Sequence, residues 1–286
     1  MALDCITDQQ NIGASACKKL PQAIESIIKT PLGFSITAVN AALVAQWQAA
    51  VLETASNRIH VFPSAHEFEN VSEEAVRSSS NLGKEVTVRQ GQYRLRLSFR
   101  ENLEIHKAIY SHLGSAGRVF LIDVNKKLIG TSEDGGVTLK GFLLDQFAPE
   151  KLQFGDGSTP SLTPVYMSLS NNEELDTNGV QISFNSQSIA LKPLIDVTLA
   201  AVGTPLATGF TVSVKSALDN VGIPGLLAAD FVLAGGVSAA VFGTDNGDGT
   251  YTFTGAGMTS GTVTLRAASL LTVQAYEAAN TATITI

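Results

Sequence analysis

The stretch FTVSVKSALDNVGIPGLLAADFVL, Phe210–Leu233, decides how the C-terminal third of the chain is read. Phe210, Val212 and Val214 alternate with Thr211, Ser213 and Lys215. That is the period of a strand with one face in a core and one in water. Asp219-Asn220, Gly222 and Pro224-Gly225 then interrupt the pattern, and Phe231 and Leu233 resume it. The same beat runs outward. Ile195, Val197 and Leu199 precede the stretch; Tyr251 and Phe253, Val263 and Leu265, and Ile284 and Ile286 follow it. With Val237–Phe242 and Thr272–Tyr276 the total is seven to eight short strands. Turns recur at roughly 8–12 residues, the spacing of a β-sandwich. Asp245-Asn246-Gly247-Asp248-Gly249 lacks the spacing and the closing Glu of a calcium loop and reads as a hairpin turn. Neither cysteine nor tryptophan lies in this third, so its core must hold by packing alone.

A change of composition marks where this unit begins. Sixteen of the nineteen Lys and Arg, and all four His, lie in residues 1–189, whereas residues 190–286 keep only Lys192, Lys215 and Arg266 as cations. The expected division is therefore 1–190 and 191–286, with a short linker at Ala190–Pro193. At 286 residues the chain is long enough for two domains, each with its own core.

The N-terminal part mixes periods. Pro21 with Leu20, Ile24, Ile27 and Ile28 predicts a helix ended by Pro31. A second helix is expected over Ala41–Thr54, with Leu43, Trp47, Ala50 and Val51 on one buried face. A third is expected over Asn102–Leu113, with Ile105, Ala108, Ile109 and His112 on one side and Gly114 as its cap. Tyr93, Leu95, Leu97 and Phe99 alternate with Arg94, Arg96, Ser98 and Arg100, a half-buried strand with a basic outer face. Arg118–Val124, Leu128–Thr131, Val137–Phe147, Leu162–Leu169 and Val180–Phe184 supply further strands. Helices first and strands in a run afterwards make an α+β or sandwich pattern, mainly β with some α.

Composition narrows the function. A net charge of -7 with no basic cluster beyond Lys18-Lys19 and Lys126-Lys127 removes the footprint of a nucleic-acid binder. No apolar run reaches the ~20 residues of a membrane span. Met1–Ile12 carries Asp4 and Asp8 and no basic residue, so a secretory leader is not expected and folding in a cytoplasm is. Cys5 and Cys17 then read as reduced structural cysteines, with a disulfide or a metal half-site as the alternatives. His60/His66 and His106/His112 are each six apart, which separates the rings on a helix and on a strand, so they read as surface or interface histidines. Glu73-Glu74 and Glu173-Glu174 are adjacent acids and read as solvated faces. Gly13-Ala14-Ser15 begins like a nucleophile elbow, but Cys17 stands where its second Gly belongs. No catalytic, cofactor-binding or metal-binding residue is assigned, and an enzyme is not expected.

Two resemblances extend this reading. Phe210–Leu233, DNGDGTYTFTG (Asp245–Gly255) and SGTVTLR (Ser260–Arg266) make Asp196–Ile286 similar to bacterial immunoglobulin-like domains of the invasin type. ITDQQNIGASACKKLPQAI (Ile6–Ile24), GRVFLIDVNKKLIGTSEDGGVTLKGF (Gly117–Phe142) and GVQISF (Gly179–Phe184) resemble bacteriophage tail-tube and ring proteins, including those of crAss-like phages. The resemblance implies a tube-like β-sandwich or barrel domain followed by an outward immunoglobulin-like domain. It implies a virion component assembled in the host cytoplasm, whose partners are copies of itself and other virion proteins. DNA would pass through the lumen without specific binding, and no cofactor is implied. A capsid decoration or head-fibre protein and an adhesin-type binding module are the alternatives.

Overall fold

The computed structural model describes residues 22–53, 56–79, 83, 85–100, 102–183, 194–266, 269–270 and 275–286. The protein is mainly β, with 48% strand against 11% helix. Its contacts divide it into two compact units, Met1–Leu191 and Lys192–Ile286. The expected linker Ala190–Pro193, Cys5, Cys17 and Gly13–Ser15 lie outside the described residues.

In chain order the first unit contains β1 (Ile24–Thr30), β2 (Ile36–Thr37), α1 (Ala38–Ala41), α2 (Val44–Val51), β3 (His60–Val61), β4 (Glu67–Asn70), β5 (Val76–Ser79), β6 (Glu85–Arg89), β7 (Arg94–Phe99) and α3 (Leu103–Tyr110). These are followed by β8 (Arg118–Asp123), β9 (Lys127–Thr131), β10 (Thr138–Leu139), β11 (Phe142–Pro149), β12 (Thr163–Leu169), α4 (Glu173–Asp176) and β13 (Gly179–Ser183). Nine strands share one sheet with the path β13-β9-β8-β11-β12-β7-β4, and β1 pairs with both β8 and β3. The sheet returns on itself. Ala65 N–H donates to Glu25 O at 2.6 Å on β1, and His66 N–H donates to Ser98 O at 2.8 Å on β7. Inside that curl lies a core of Ile27, Leu97, Phe99, Val119, Phe142, Phe147, Val165 and Met167.

β1 corrects the expected first helix. Ile24 and Ile27 face the inner core, while Ile28 is fully buried outside it. The outer side of the sheet is covered in turn: Trp47 of α2 meets Phe120 of β8 edge-on, with centroids 5.2 Å apart. A strand buried on both faces loses its alternation, so spacing alone cannot tell it from a helix. The second helix is shorter than expected. Leu43 is its exposed N-cap, not part of its buried face, but Trp47, Ala50 and Val51 are buried as predicted. The Trp47 indole donates to Ala41 O at 2.8 Å.

α3 begins where Asn102 caps the Ile105 N–H at 2.8 Å. Only Ile109 of its expected apolar side is fully buried; Ala108 is exposed and His112 lies beyond the helix. Gly114 closes the following turn at φ +67. The expected strand Val137–Phe147 breaks at Gly141, where a Cβ would stand 2.8 Å from Val119 backbone atoms. Lys126, at φ 61, makes the tight β8–β9 turn, and Asp123 Oδ1 accepts the Asn125 and Lys127 N–H groups there, both at 2.9 Å.

The second unit contains β14 (Leu194–Leu206), β15 (Gly209–Ser216), β16 (Phe231–Gly235), β17 (Val241–Asp245), β18 (Thr250–Thr254), β19 (Gly261–Leu265), β20 (Ser269–Leu270), β21 (Ala275–Ala278) and β22 (Ala282–Ile284). They form a six-stranded sheet, β17-β18-β15-β14-β21-β20, and a three-stranded one, β16-β19-β22. Val212, Val214, Tyr251 and Phe253 of the first sheet share one core with Phe231, Val263 and Ile284 of the second. The Tyr251 hydroxyl donates to Ile223 O and accepts from Leu226 N–H at 3.1 Å, which pins the long β15–β16 connection to β18. Burial of that phenol raises its pKa to about 12.

Candidate functional site

The most conspicuous surface feature begins with two valines at alternate positions, Val86 and Val88 of β6. β5 and β6 pair with each other and with no other described strand. All nine of their residues are exposed. The register sets Arg77 opposite Thr87, Ser78 opposite Val86 and Ser79 opposite Glu85. One face therefore carries Arg77, Ser79, Glu85 and Thr87, with an ion pair between Arg77 and Glu85 at 4.0 Å. The other carries Ser78, Val86 and Val88, the valines 63% and 66% exposed, and Val76 stands beside the bulge at that end. A two-stranded ribbon is marginal by itself in water, and among the described residues none covers its apolar face.

The stem of this hairpin is firmly set. Val71 N–H donates to Arg94 O and Glu73 N–H to Gln92 O, both at 3.0 Å. The Asn172 amide donates to Gly91 O. Gly91 is required there, because a Cβ would lie 1.8 Å from Glu73 O. A fixed stem thus presents an amphipathic ribbon to solvent.

The basic outer face expected of β7 is neutralised within the chain at two of its three arginines. Arg94 pairs with Glu73. Arg96 pairs with Glu150 at 2.9 Å and Glu69 at 3.6 Å. Both arginine Nε atoms are buried without a partner among the described residues, whereas Arg100 is exposed. Glu174 departs from the expected solvated face. It is buried, pairs with Arg118 at 2.9 Å and accepts the Leu143 N–H at 2.6 Å, while Glu173 stays exposed. Packing decides this: α4 turns one of two adjacent acids inward and leaves the other in water.

The histidines combine differently from their sequence pairs. His60 of β3 and His112, just past α3, place their rings 4.5 Å apart. His112 also lies against Phe62 and Phe147. Lys29 stands opposite His60 across the β1–β3 pair. It is 5% exposed, and its ammonium donates to Ser115 Oγ at 2.9 Å and Ala116 O at 3.4 Å. Burial lowers the Lys29 pKa. Burial, then the Lys29 and Arg58 charges, lowers that of His60. Burial, then His60 and Lys29, takes His112 down to about 4. His66 is exposed, and His106 Nδ1 lies 3.1 Å from Thr163 Oγ1. Residues 52 apart in sequence carry no spacing signal, so only the fold joins His60 to His112. The hairpin is absent from the strands expected of the sequence, although Val86 and Val88 alternate with polar residues there.

Asp245–Gly249 forms the β17–β18 turn, with Gly247 at φ +80 and Gly249 at φ +85. Asp245 Oδ1 accepts the Gly247 N–H and Asp248 Oδ1 the Thr250 N–H, both at 2.9 Å, and Asp245 Oδ2 accepts the Gly225 N–H at 2.7 Å, so both carboxylates are engaged by backbone amides. Among the described residues no group of three or more His, Cys, Asp or Glu is placed to hold a metal ion. No described helix is long and apolar enough to cross a membrane. Neither a protein-family model nor a curated protein matches the sequence.

Proposed function

We propose that this chain is a structural virion protein that assembles with copies of itself into a ring or tube of a bacteriophage tail or head–tail connector. The observation that carries the assembly part is the β5–β6 hairpin, an amphipathic ribbon with a bare valine face on a fixed stem. A second copy that covers Val86 and Val88 would bury an apolar face that the described residues of one chain leave open. A contact between two different patches of the same chain repeats around an axis and gives a ring where the rotation closes and an open helical filament where it does not. The virion part rests on the resemblance of Ile6–Ile24, Gly117–Phe142 and Gly179–Phe184 to tail-tube and ring proteins. The curl of the first unit's sheet supports a tube-like barrel or sandwich. Two sheets over one core in the second unit support an immunoglobulin-like sandwich.

The test is the size of the purified full chain, by mass photometry and electron microscopy, beside that of the double variant Val86→Ser, Val88→Ser. The wild type should form closed rings or tubes and the variant should remain a folded monomer. A wild type that stays monomeric or trimeric at high concentration would favour a decoration protein instead.

A further inference from the structure

We propose that Lys29, His60 and His112 form a receptor for one anionic oxygen group, a carboxylate or a phosphate. Lys29 and His60 are cross-strand partners, so their side chains leave the sheet on the same face. The His112 ring closes the group at 4.5 Å from His60. An ammonium has three donors. Lys29 spends two on Ser115 Oγ and Ala116 O, both uncharged, which leaves one. Among the described residues neither imidazole has a hydrogen-bond partner, so their ring nitrogens are available.

The surrounding charges favour an anion over a metal ion. Lys29 and Arg58 are the charges that act on His60. Glu25, the acid of β1, is engaged by Lys126. The α3 side contributes His112 itself and His106, which faces Thr163; β11 contributes the Phe147 ring, with Lys29 Nζ 5.6 Å from its centroid. Three basic groups thus meet, and among the described residues none of them is paired with a carboxylate.

Histidine ring NMR on the dilute full chain tests this, with inorganic phosphate titrated against sodium chloride at matched ionic strength. Phosphate should raise the His112 titration midpoint saturably, by roughly one to three units as a nearby opposite charge does. Chloride should not, and the His106 midpoint should not move. Lys29→Met should abolish the shift; should it fail to fold, His60→Gln gives the same reading. Equal effects of phosphate and chloride, or a shift that survives His60→Gln, would overturn the receptor. A second arm separates the sources of the anion and alone rests on the assembly reading. If a neighbouring copy's carboxylate is the natural occupant, phosphate at constant ionic strength should dissociate the oligomer. An oligomer indifferent to phosphate, together with a saturable His112 shift, identifies a free anion.

Discussion

At the scale of single residues, burial without a counter-charge has a measurable consequence. The ordinary histidine pKa is 6.5, and in the fold that of His112 is about 4. The unfolded chain therefore binds the proton first as pH falls. Stability contributed by neutral His112 is fully present above 6.5, declines as pH falls below that value, and stops declining below about 4. His60 is shifted in the same direction. In anion-free buffer the urea midpoint of the first unit should fall between pH 6.5 and 4, and His112→Asn should flatten that slope. A slope unchanged by His112→Asn would show that other groups dominate. The same scale explains the misjudged Glu174. No neighbour in sequence announces Arg118, 56 residues away, yet their ion pair and the Leu143 N–H make a buried carboxylate tolerable.

At the scale of elements, the hairpin depends on one backbone approach. Gly91 has the Glu73 carbonyl where a side chain would begin. Gly91→Ala must therefore move the stem, with a loss of about 1–3 kcal/mol as for strained or overpacked sites. The first unit should keep its core, because Leu97, Val165 and Phe142 lie elsewhere in the sheet. Hydrogen exchange should report this as faster exchange confined to residues 71–94. Exchange that accelerates through β8 and β12 as well would mean that the hairpin stem is part of the cooperative core. β1 makes the complementary point: its elements of sequence, three isoleucines and a proline before them, suit a helix until both faces are covered by other elements.

At the scale of the whole molecule, the two units have separate cores. The uncovered valine ribbon belongs to the first. Deletion of residues 191–286 should leave the oligomer intact in mass photometry. A truncated chain that stays monomeric where the full chain assembles would assign the contacts to the second unit.

The sequence by itself determined the mainly β character, the strands of Phe210–Val214 and Tyr93–Phe99, the burial of Trp47 and the start of α3 at Asn102. Each of these rests on local periodicity or on capping chemistry within a few residues. Only the tertiary structure decided that Ile24–Thr30 is a strand, that Arg94 and Arg96 meet acids of their own chain, and that His60, His112 and Lys29 meet. These depend on which distant segments cover a face or supply a partner. A curled sheet brings together residues tens of positions apart, and no local pattern encodes that closure.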